Sequence, residues 1–288
     1  MHDETAVPPL ILVIAYRADD HLEDCLHELA STEDVRVVDN DASSTTRDLV
    51  DKLGAQYIAA PTNVGFAAGV NLGLDAWWDG ERDVLLLNPD ARISPSAVAA
   101  LQAHLHAPGP RRAAVGPRLI GDGNEVQRAD WPLPSPVQMW FEALGCVRWW
   151  RGRRFVVGAV LMLSGEALAE VGGFDERYFL YAEAADWQCA VQRAGWTVAV
   201  VDSVTARHTG SASSSNHEIR ERLFHASAEI FGRKWYGTKG WMVMRAAAVA
   251  AATRRCLIGS RSDRAVARRT LRRYLVGPVE HARRNEMP

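Results

Sequence analysis

The sequence predicts an α/β fold, a mostly parallel sheet flanked by helices and followed by a helical tail, and three observations carry that prediction. Between Leu10 and Asp41 the pattern alternates strand, helix, strand with short links, the signature of a βαβ unit. The apolar run Leu85-Leu86-Leu87 stops abruptly at Asn88-Pro89-Asp90, placing a carboxylate at a strand's carboxyl end. Composition then shifts late in the chain: of 33 Lys/Arg and 35 Asp/Glu, 14 and 3 lie from Arg233 onward, leaving 19 and 32 before it.

Leu10 to Ala15 is short and continuously apolar, as a strand buried on both faces requires. Asp19 to Ala30 carries Leu22, Cys25, Leu26 and Leu29 at helical spacing, and Val35 to Val38 is a second apolar run closed by Asp39-Asn40-Asp41. A helix over Thr45 to Leu53 and a strand around Tyr57 to Ala59 follow. Asn63 to Gly73 reads as a helix opening with unusually many small residues, whose amino end can hold phosphate or sugar oxygens; tight helix-on-sheet packing would account for the same smallness. Beyond Asp90 come a helix over Ser94 to Leu105, a short strand over Ala113 to Val115, and an irregular stretch from Pro132 to Arg154 of the kind that forms lids or binding loops. Phe155 to Leu163 is expected as one buried strand containing Gly158, a mark of close approach to the backbone. A short helix over Glu166 to Val171, closed by Gly172-Gly173, and a strand over Thr197 to Val201 complete the body.

With 288 residues, 48% of them hydrophobic, the chain can bury a substantial core in one large or two small domains. The acidic body excludes a nucleic-acid enzyme with its binding face there, whereas the basic tail suits an anionic lipid surface. Met1-His2-Asp3-Glu4 lacks a basic segment followed by an apolar one, so no cleaved secretion signal is expected. Cys25, Cys146, Cys189 and Cys256 show no paired spacing, which fits reduced thiols in a cytoplasmic protein.

Six stretches then fall in order: Val38-Asp39-Asn40, Asn63-Val64-Gly65-Phe66-Ala67 through Asn71-Leu72-Gly73, Leu87-Asn88-Pro89-Asp90, Gly172-Gly173-Phe174-Asp175-Glu176, Ala194-Gly195-Trp196 and His208-Thr209-Gly210. Over roughly residues 10 to 215 the chain resembles the family 2 glycosyltransferases of GT-A fold, a Rossmann-type architecture, and in particular their bacterial rhamnosyltransferase-like members. The resemblance implies an inverting transfer of a sugar from a nucleotide-diphosphate donor to a hydroxyl of a cell-envelope or polyprenyl-linked glycan, with dTDP-rhamnose as the donor its branch suggests. It places Ala15 and Tyr16 around the nucleoside and Asp39 as acceptor for a base N–H, with helix capping as the alternative for Asp39. Asn63, Gly65, Phe66, Asn71 and Asn88 fall at donor-binding positions. Asp90 matches the last residue of the family's DXD element, which ties Mg²⁺ or Mn²⁺ to the diphosphate, and His208 falls where members place a metal or diphosphate contact. Arg128 and Arg154 are further candidates for phosphate or acceptor, with surface solvation as the alternative.

In Tyr181-Ala182-Glu183-Ala184-Ala185-Asp186-Trp187 the family commonly carries adjacent carboxylates, one of them the base that deprotonates the acceptor. Glu183 takes that role here, kept ionised by the helix amino end, and Asp186, one turn on, serves instead or orients it. The sequence departs from the pattern at Ala184, where the second acid is missing, and at Asn88, which replaces the first Asp of the DXD element. These departures keep open a catalytically impaired nucleotide-sugar-binding or scaffold protein of the same fold. A nucleotidyltransferase would show an early Gly-rich loop with a basic residue, which residues 11 to 20 lack.

The expected organisation is a glycosyltransferase domain over residues 1–235, with a nucleotide-binding half (about 8–117) and an acceptor-binding half (118–235), and a basic helical tail over 236–288. The stretch from Trp235 to Thr253, broken by Lys239 and Arg245, is too short and too charged to span a membrane. Arg254, Arg255, Arg261, Arg264, Arg268, Arg269, Arg272 and Arg273 recur beside Leu257, Val266, Leu271 and Tyr274. That pattern predicts an amphipathic helix peripheral to the cytoplasmic membrane face, or an ordinary helix packed on the catalytic domain.

Overall fold

A computed structural model describes residues 7–29, 34–210 and 217–284. The acidic start at Met1 to Glu4, the end of the first predicted helix at Ala30 and the serine cluster at Ser211 to Ser215 lie outside the described residues. The chain divides into two compact units: residues 1–131, 155–179 and 183–215 form the first, and residues 132–154, 180–182 and 216–288 the second.

The first unit is built on a nine-stranded sheet. Its strands are β1 (Leu10–Ala15), β2 (Asp34–Asp39), β3 (Gln56–Ala59), β4 (Val84–Leu87), β5 (Ala91–Arg92), β6 (Arg112–Ile120), β7 (Val126–Gln127), β10 (Val160–Leu163) and β11 (Thr197–His208); two further short strands are β8 (Asp130–Pro132) and β9 (Arg154–Val156). The sheet order is β3-β2-β1-β4-β10-β6-β11-β5, with β7 paired to β6. β1, β2, β3 and β4 pair in parallel, as do β6 and β11, whereas β10 runs antiparallel to both β4 and β6 and β5 antiparallel to β11.

Both faces are covered, which is why β1 reads as an unbroken apolar run. Ile11, Val13 and Ala15 face one core, packed under α1 (Asp19–Leu26), α2 (Ser44–Lys52) and α4 (Pro95–Leu105) through residues such as Leu22, Val50 and Leu101. Leu10, Leu12 and Ile14 face the other, under α3 (Gly65–Trp77), α6 (Gly165–Val171) and α7 (Glu183–Arg193) through Val70, Leu168 and Trp187. Each large apolar side chain so enclosed contributes about 1.5–3 kcal/mol relative to exposure. The small residues of α3 are explained largely by this packing: a Cβ on Gly73 would overlap the Leu12 side chain, and one on Gly69 would sit 3.0 Å from Ile14.

The second unit is helical, with α5 (Pro136–Ala143), α8 (His217–Ile258), α9 (Arg261–Val276) and α10 (Pro278–Arg284). Gly237, at φ 64°, breaks α8 into two segments. Trp241, Met244, Ala248 and Tyr274 form the buried centre. Ser260 and Asp263 make a reciprocal capping box that starts α9.

Four sequence expectations change shape. The predicted strand Phe155 to Leu163 is interrupted at Val157-Gly158-Ala159, because the Val157 N–H goes to Ala129 O and Ala159 O receives the Asn88 N–H instead of continuing one ladder. The irregular stretch after Pro132 contains α5, capped by Ser135 with Pro136 at its first position, so a helix start was present in the sequence. That stretch packs with the C-terminal helices, so the second unit does not begin at residue 236. The arginine face of the tail is also narrower than predicted: Arg273 is buried against Glu221 at 2.6 Å, with Arg269 3.5 Å from the same carboxylate.

Candidate active site

The parallel register brings the carboxyl ends of β1, β2 and β4 to one edge, where open α/β sheets hold ligands. Ala15 is opposite Asp39, and Val13 opposite Leu87. Ala15 is buried and Tyr16 half-buried. Beside them Arg17, which the sequence reading passed over, adopts φ 50°, with its guanidinium 5.2 Å from the Tyr16 ring centroid and 3.7 Å from Asp41. A basic side chain at a strand end had no fixed spacing to mark it.

Asp39 is fully buried, and its carboxylate shapes the loop that follows. It accepts from the backbone N–H of Asp41 (2.9 Å) and of Ser43 (2.8 Å) and from the Tyr57 hydroxyl (3.0 Å). Burial and then this bond raise the Tyr57 pKa. These bonds hold the loop between β2 and α2, whose own N-cap is Ser43. The neighbouring Asn40 clamps the glycine loop, donating to Gly65 O at 3.1 Å and accepting from Val64 N at 3.4 Å. Asn63 accepts from Gly65 N at 3.1 Å in an Asx turn. Gly65 has φ 85°, and a Cβ there would overlap the Phe179 carbonyl that receives the Phe66 N–H at 2.8 Å. Asn71, predicted at the donor site, commits both ends of its amide elsewhere: Oδ1 accepts from Phe174 N (2.8 Å), and Nδ2 donates to Phe174 O (2.8 Å) and Glu176 (2.9 Å). It fastens the Gly-Gly-Phe block to α3 and lines a separate concavity of about 630 Å³ with Asp75 and Trp78.

At the end of β4, the half-buried Asn88 is held through its backbone, donating to Ala159 O at 2.8 Å. Asp90 is buried, its carbonyl accepts from Thr209 N at 3.1 Å, and its carboxylate lies 3.6 Å from His208 Nε2 and 3.5 Å from Thr209 Oγ1. Strand β11 extends through His208 rather than ending at Val201, and that extension brings the ring to Asp90. Gln127, absent from the sequence reading, sets the ring's state. Its Nε2 donates to His208 O at 2.8 Å, so its Oε1 faces His208 Nδ1 at 3.0 Å as an acceptor. The neutral ring then carries its proton on Nδ1 and turns a lone pair on Nε2 toward the Asp90 carboxylate. Two electron-rich groups at that separation are stabilised by a proton or a cation between them.

The third element is the amino end of α7. Trp187 donates to Gly172 O at 3.0 Å and stacks on Phe174, while fully buried Gln188 grips both the N–H and the carbonyl of Val156 at 2.8 and 2.7 Å. Asp186 accepts from the buried Tyr178 hydroxyl at 2.9 Å. Glu183, at the first position, is 9% exposed, and its Oε2 has no hydrogen-bond partner among the described residues. Burial, opposed by a backbone N–H and helped by the Asp186 charge, pushes its carboxyl up to about 7. The sequence expectation that the helix amino end keeps it ionised is therefore corrected: desolvation outweighs the dipole. Tyr181 and Ala182, which precede it, hold φ of 68° and 66°, a conformation that costs about 1–3 kcal/mol per non-glycine residue and is concentrated at functional sites. Ala184, where an acid was expected, is 7% exposed in the core and approaches the Gly158 Cβ position at 3.4 Å.

Gly158 and Ala159 join these parts, since Gly158 abuts Ala184 and Ala159 O holds Asn88 N. Arg128 is stacked 3.8 Å over Trp131, and Arg154 begins β9. Among the described residues no three His, Cys, Asp or Glu side chains form a group that could hold a metal, so Asp90 and His208 make a two-ligand set at most.

The sheet order and the helices on both faces define an α/β fold of GT-A architecture, and solved structures share it. The protein is similar to Staphylococcus aureus TarS (residues 1–349; TM-score 0.53, 13% identity, 97% of this chain and 92% of that one). It is also similar to glucosyl-3-phosphoglycerate synthase from Mycobacterium tuberculosis, solved with Mn²⁺, UDP and glucosyl-3-phosphoglycerate (TM-score 0.53, 14%, 78% and 77%). More narrowly, the family profile described as Glycosyl transferase family 2 matches residues 10–170, more than half of the chain, which belongs to that family and is a glycosyltransferase. Similar sequences include a low-salt glycan biosynthesis hexosyltransferase (Agl10) of Haloferax volcanii, 24% identical over 82% of this chain and 83% of the relative. A Mycobacterium tuberculosis N-acetylglucosaminyl-diphospho-decaprenol L-rhamnosyltransferase is 28% identical over 77% and 82%.

Proposed function

We propose that this glycosyltransferase moves a hexose, rhamnose from dTDP-rhamnose in our reading, onto a hydroxyl of a polyprenyl-linked cell-envelope glycan at the cytoplasmic side of the membrane, inverting the anomeric centre. The observation that carries the reading is Glu183: a buried carboxyl poised near neutral pH, with one oxygen unengaged, on a helix clamped by Gln188, Trp187 and Asp186. A base works best when its pKa lies near the working pH. The mycobacterial relative, by its name, transfers rhamnose to a diphospho-decaprenol glycan, which supports the choice of donor and acceptor.

In this reading Ala15, Tyr16 and the Asp39–Asn40 turn hold the nucleoside, and the amino end of α3 at Asn63, Gly65 and Phe66 meets the donor's oxygens. Asp90 and His208 offer a carboxylate oxygen and an imidazole nitrogen, a donor set suited to Mg²⁺ or Mn²⁺ once diphosphate oxygens and water complete the shell. There a divalent cation would offset the charge growing on the departing diphosphate. Glu183 takes the proton of the acceptor hydroxyl as that oxygen bonds to the anomeric carbon. The bond to the diphosphate breaks on the opposite face, so configuration inverts in a single displacement. Asp186, engaged by Tyr178, positions Glu183 rather than replacing it.

Purified Glu183→Gln protein should retain donor binding in calorimetry and lose transfer; full turnover would move the base elsewhere. Asp90→Ala should lose the cation-dependent part of nucleotide-diphosphate binding, and unchanged affinity would remove its metal role. Ala184 in the core favours one competing reading, a donor-binding protein without turnover, which measurable transfer by the wild-type chain would dismiss.

A further inference from the structure

The helical unit exposes an apolar patch assembled from two distant stretches of sequence. Arg254 Nε donates to Ala143 O at 2.9 Å and Arg255 pairs with Glu142 at 3.4 Å, which brings the carboxyl ends of α5 and α8 side by side. At those ends Leu144 is 67% exposed, Leu257 76% and Ile258 73%, where a helix terminus facing water would ordinarily carry polar residues. Trp149, just beyond α5, is 56% exposed under the Arg148 guanidinium, 4.6 Å from its ring centroid.

The helix that leaves this tip is basic on its outer side. Arg261, Arg264, Arg268 and Arg272 are all exposed and recur at spacings of three and four, so they form one stripe along α9. Asp263, held by Ser260 in the capping box, is the one acid within α9, so the four arginines keep the stripe net positive. Among the described residues no helix is long and apolar enough to cross a membrane.

We infer that this tip docks on an anionic lipid bilayer, with Leu144, Leu257 and Ile258 entering the interface, Trp149 at headgroup level and the arginine stripe against lipid phosphates. Charge complementarity selects that occupant. A second copy would bring one arginine stripe against another, and a neutral apolar partner would leave the stripe unused. Arg273 and Arg269 are already engaged by Glu221, which leaves Arg261, Arg264, Arg268 and Arg272 as the stripe, and Leu144, Leu257 and Ile258 sit where α5 and α8 end. The inference rests on the proposed reaction for its purpose, since a polyprenyl-linked acceptor is held at a bilayer.

The test is co-sedimentation of the full chain with vesicles of phosphatidylcholine alone or mixed with phosphatidylglycerol, alongside calorimetry of nucleotide-diphosphate binding. The wild type should pellet with the mixed vesicles only, and less so at high salt. Leu257→Glu with Ile258→Glu should lower partitioning at least about tenfold. Arg264→Glu with Arg268→Glu should lower it about fivefold or more for each arginine removed, and circular dichroism should report an unchanged fold for both pairs. Equal pelleting with neutral vesicles, wild-type partitioning by the Leu257/Ile258 pair, or a wild-type dimer in sedimentation velocity that this pair dissociates while pelleting is kept would each overturn the inference. Failure of the glycosyltransfer reading would appear instead as lost nucleotide binding with pelleting preserved.

Discussion

Replacing Glu183 with Gln should remove a loss of stability that the wild type suffers as pH rises toward 7, while stopping transfer. The carboxyl has an ordinary value of 4.5 and is pushed up to about 7 in the folded chain. Below about pH 4.5 it is protonated in both folded and unfolded states, and folding carries no electrostatic penalty there. As pH rises toward 7 the unfolded chain releases the proton while the folded chain keeps it, so this group's contribution to stability falls. The loss levels off once the folded carboxyl has also ionised. At about 1.4 kcal/mol per pH unit the total loss is about 3 kcal/mol. Gln cannot ionise and should show none of it. A buried amide without a partner lowers stability at every pH alike, so the diagnostic is the difference in slope between the two proteins. Urea denaturation of wild type and Glu183→Gln between pH 4 and 8 measures it. The curves should diverge by about 3 kcal/mol between pH 4.5 and 7.5, equivalent to roughly 5–10 °C in Tm. Over the same range wild-type kcat/KM should rise to half its maximum near pH 7 as the base loses its proton. Parallel stability curves would refute the buried, raised carboxyl, and with it the assignment of the base.

Other perturbations address the supports of the site. Gln127→Leu removes the acceptor that holds the His208 proton on Nδ1, so Mn²⁺-dependent nucleotide binding should weaken about tenfold in calorimetry while binding without metal stays unchanged. Tyr178→Phe leaves a buried Asp186 oxygen without its hydroxyl donor; stability should fall by about 1–3 kcal/mol in urea, and kcat should drop with donor affinity retained. Gly65→Ala forces a Cβ onto the Phe179 carbonyl at a positive φ, so the variant should lose at least about 2 kcal/mol in thermal unfolding and bind donor poorly. Arg273→Ala leaves the part-buried Glu221 with Arg269 alone, and should cost about 1–3 kcal/mol in the same measurement.

Much of the framework was legible because it is written in local pattern. The run Leu10 to Ala15 announces a strand enclosed on both faces, and Leu22, Cys25, Leu26 and Leu29 a helix over it. The order of motifs from Asp39 through His208 marks the family in the sequence itself. What escaped were contacts between parts distant in sequence. Nothing adjacent to Gln127 indicates that it meets His208 across 81 positions, and nothing near Gln188 predicts its grip on Val156. Asn71 looked like a ligand residue because its use depends on Phe174, 103 positions away.

By itself the sequence determined the βαβ alternation, the carboxylates at strand ends, the family and the basic character of the C-terminal region, since periodicity, residue type and charge are properties of neighbours along the chain. Only the tertiary structure decided how acidic Glu183 is, how Asp39 is engaged, which nitrogen His208 turns to Asp90, and that α5 and α8 end together in an exposed apolar tip. Those outcomes depend on burial and on partners brought from afar, and desolvation acts only once the chain has closed around a group.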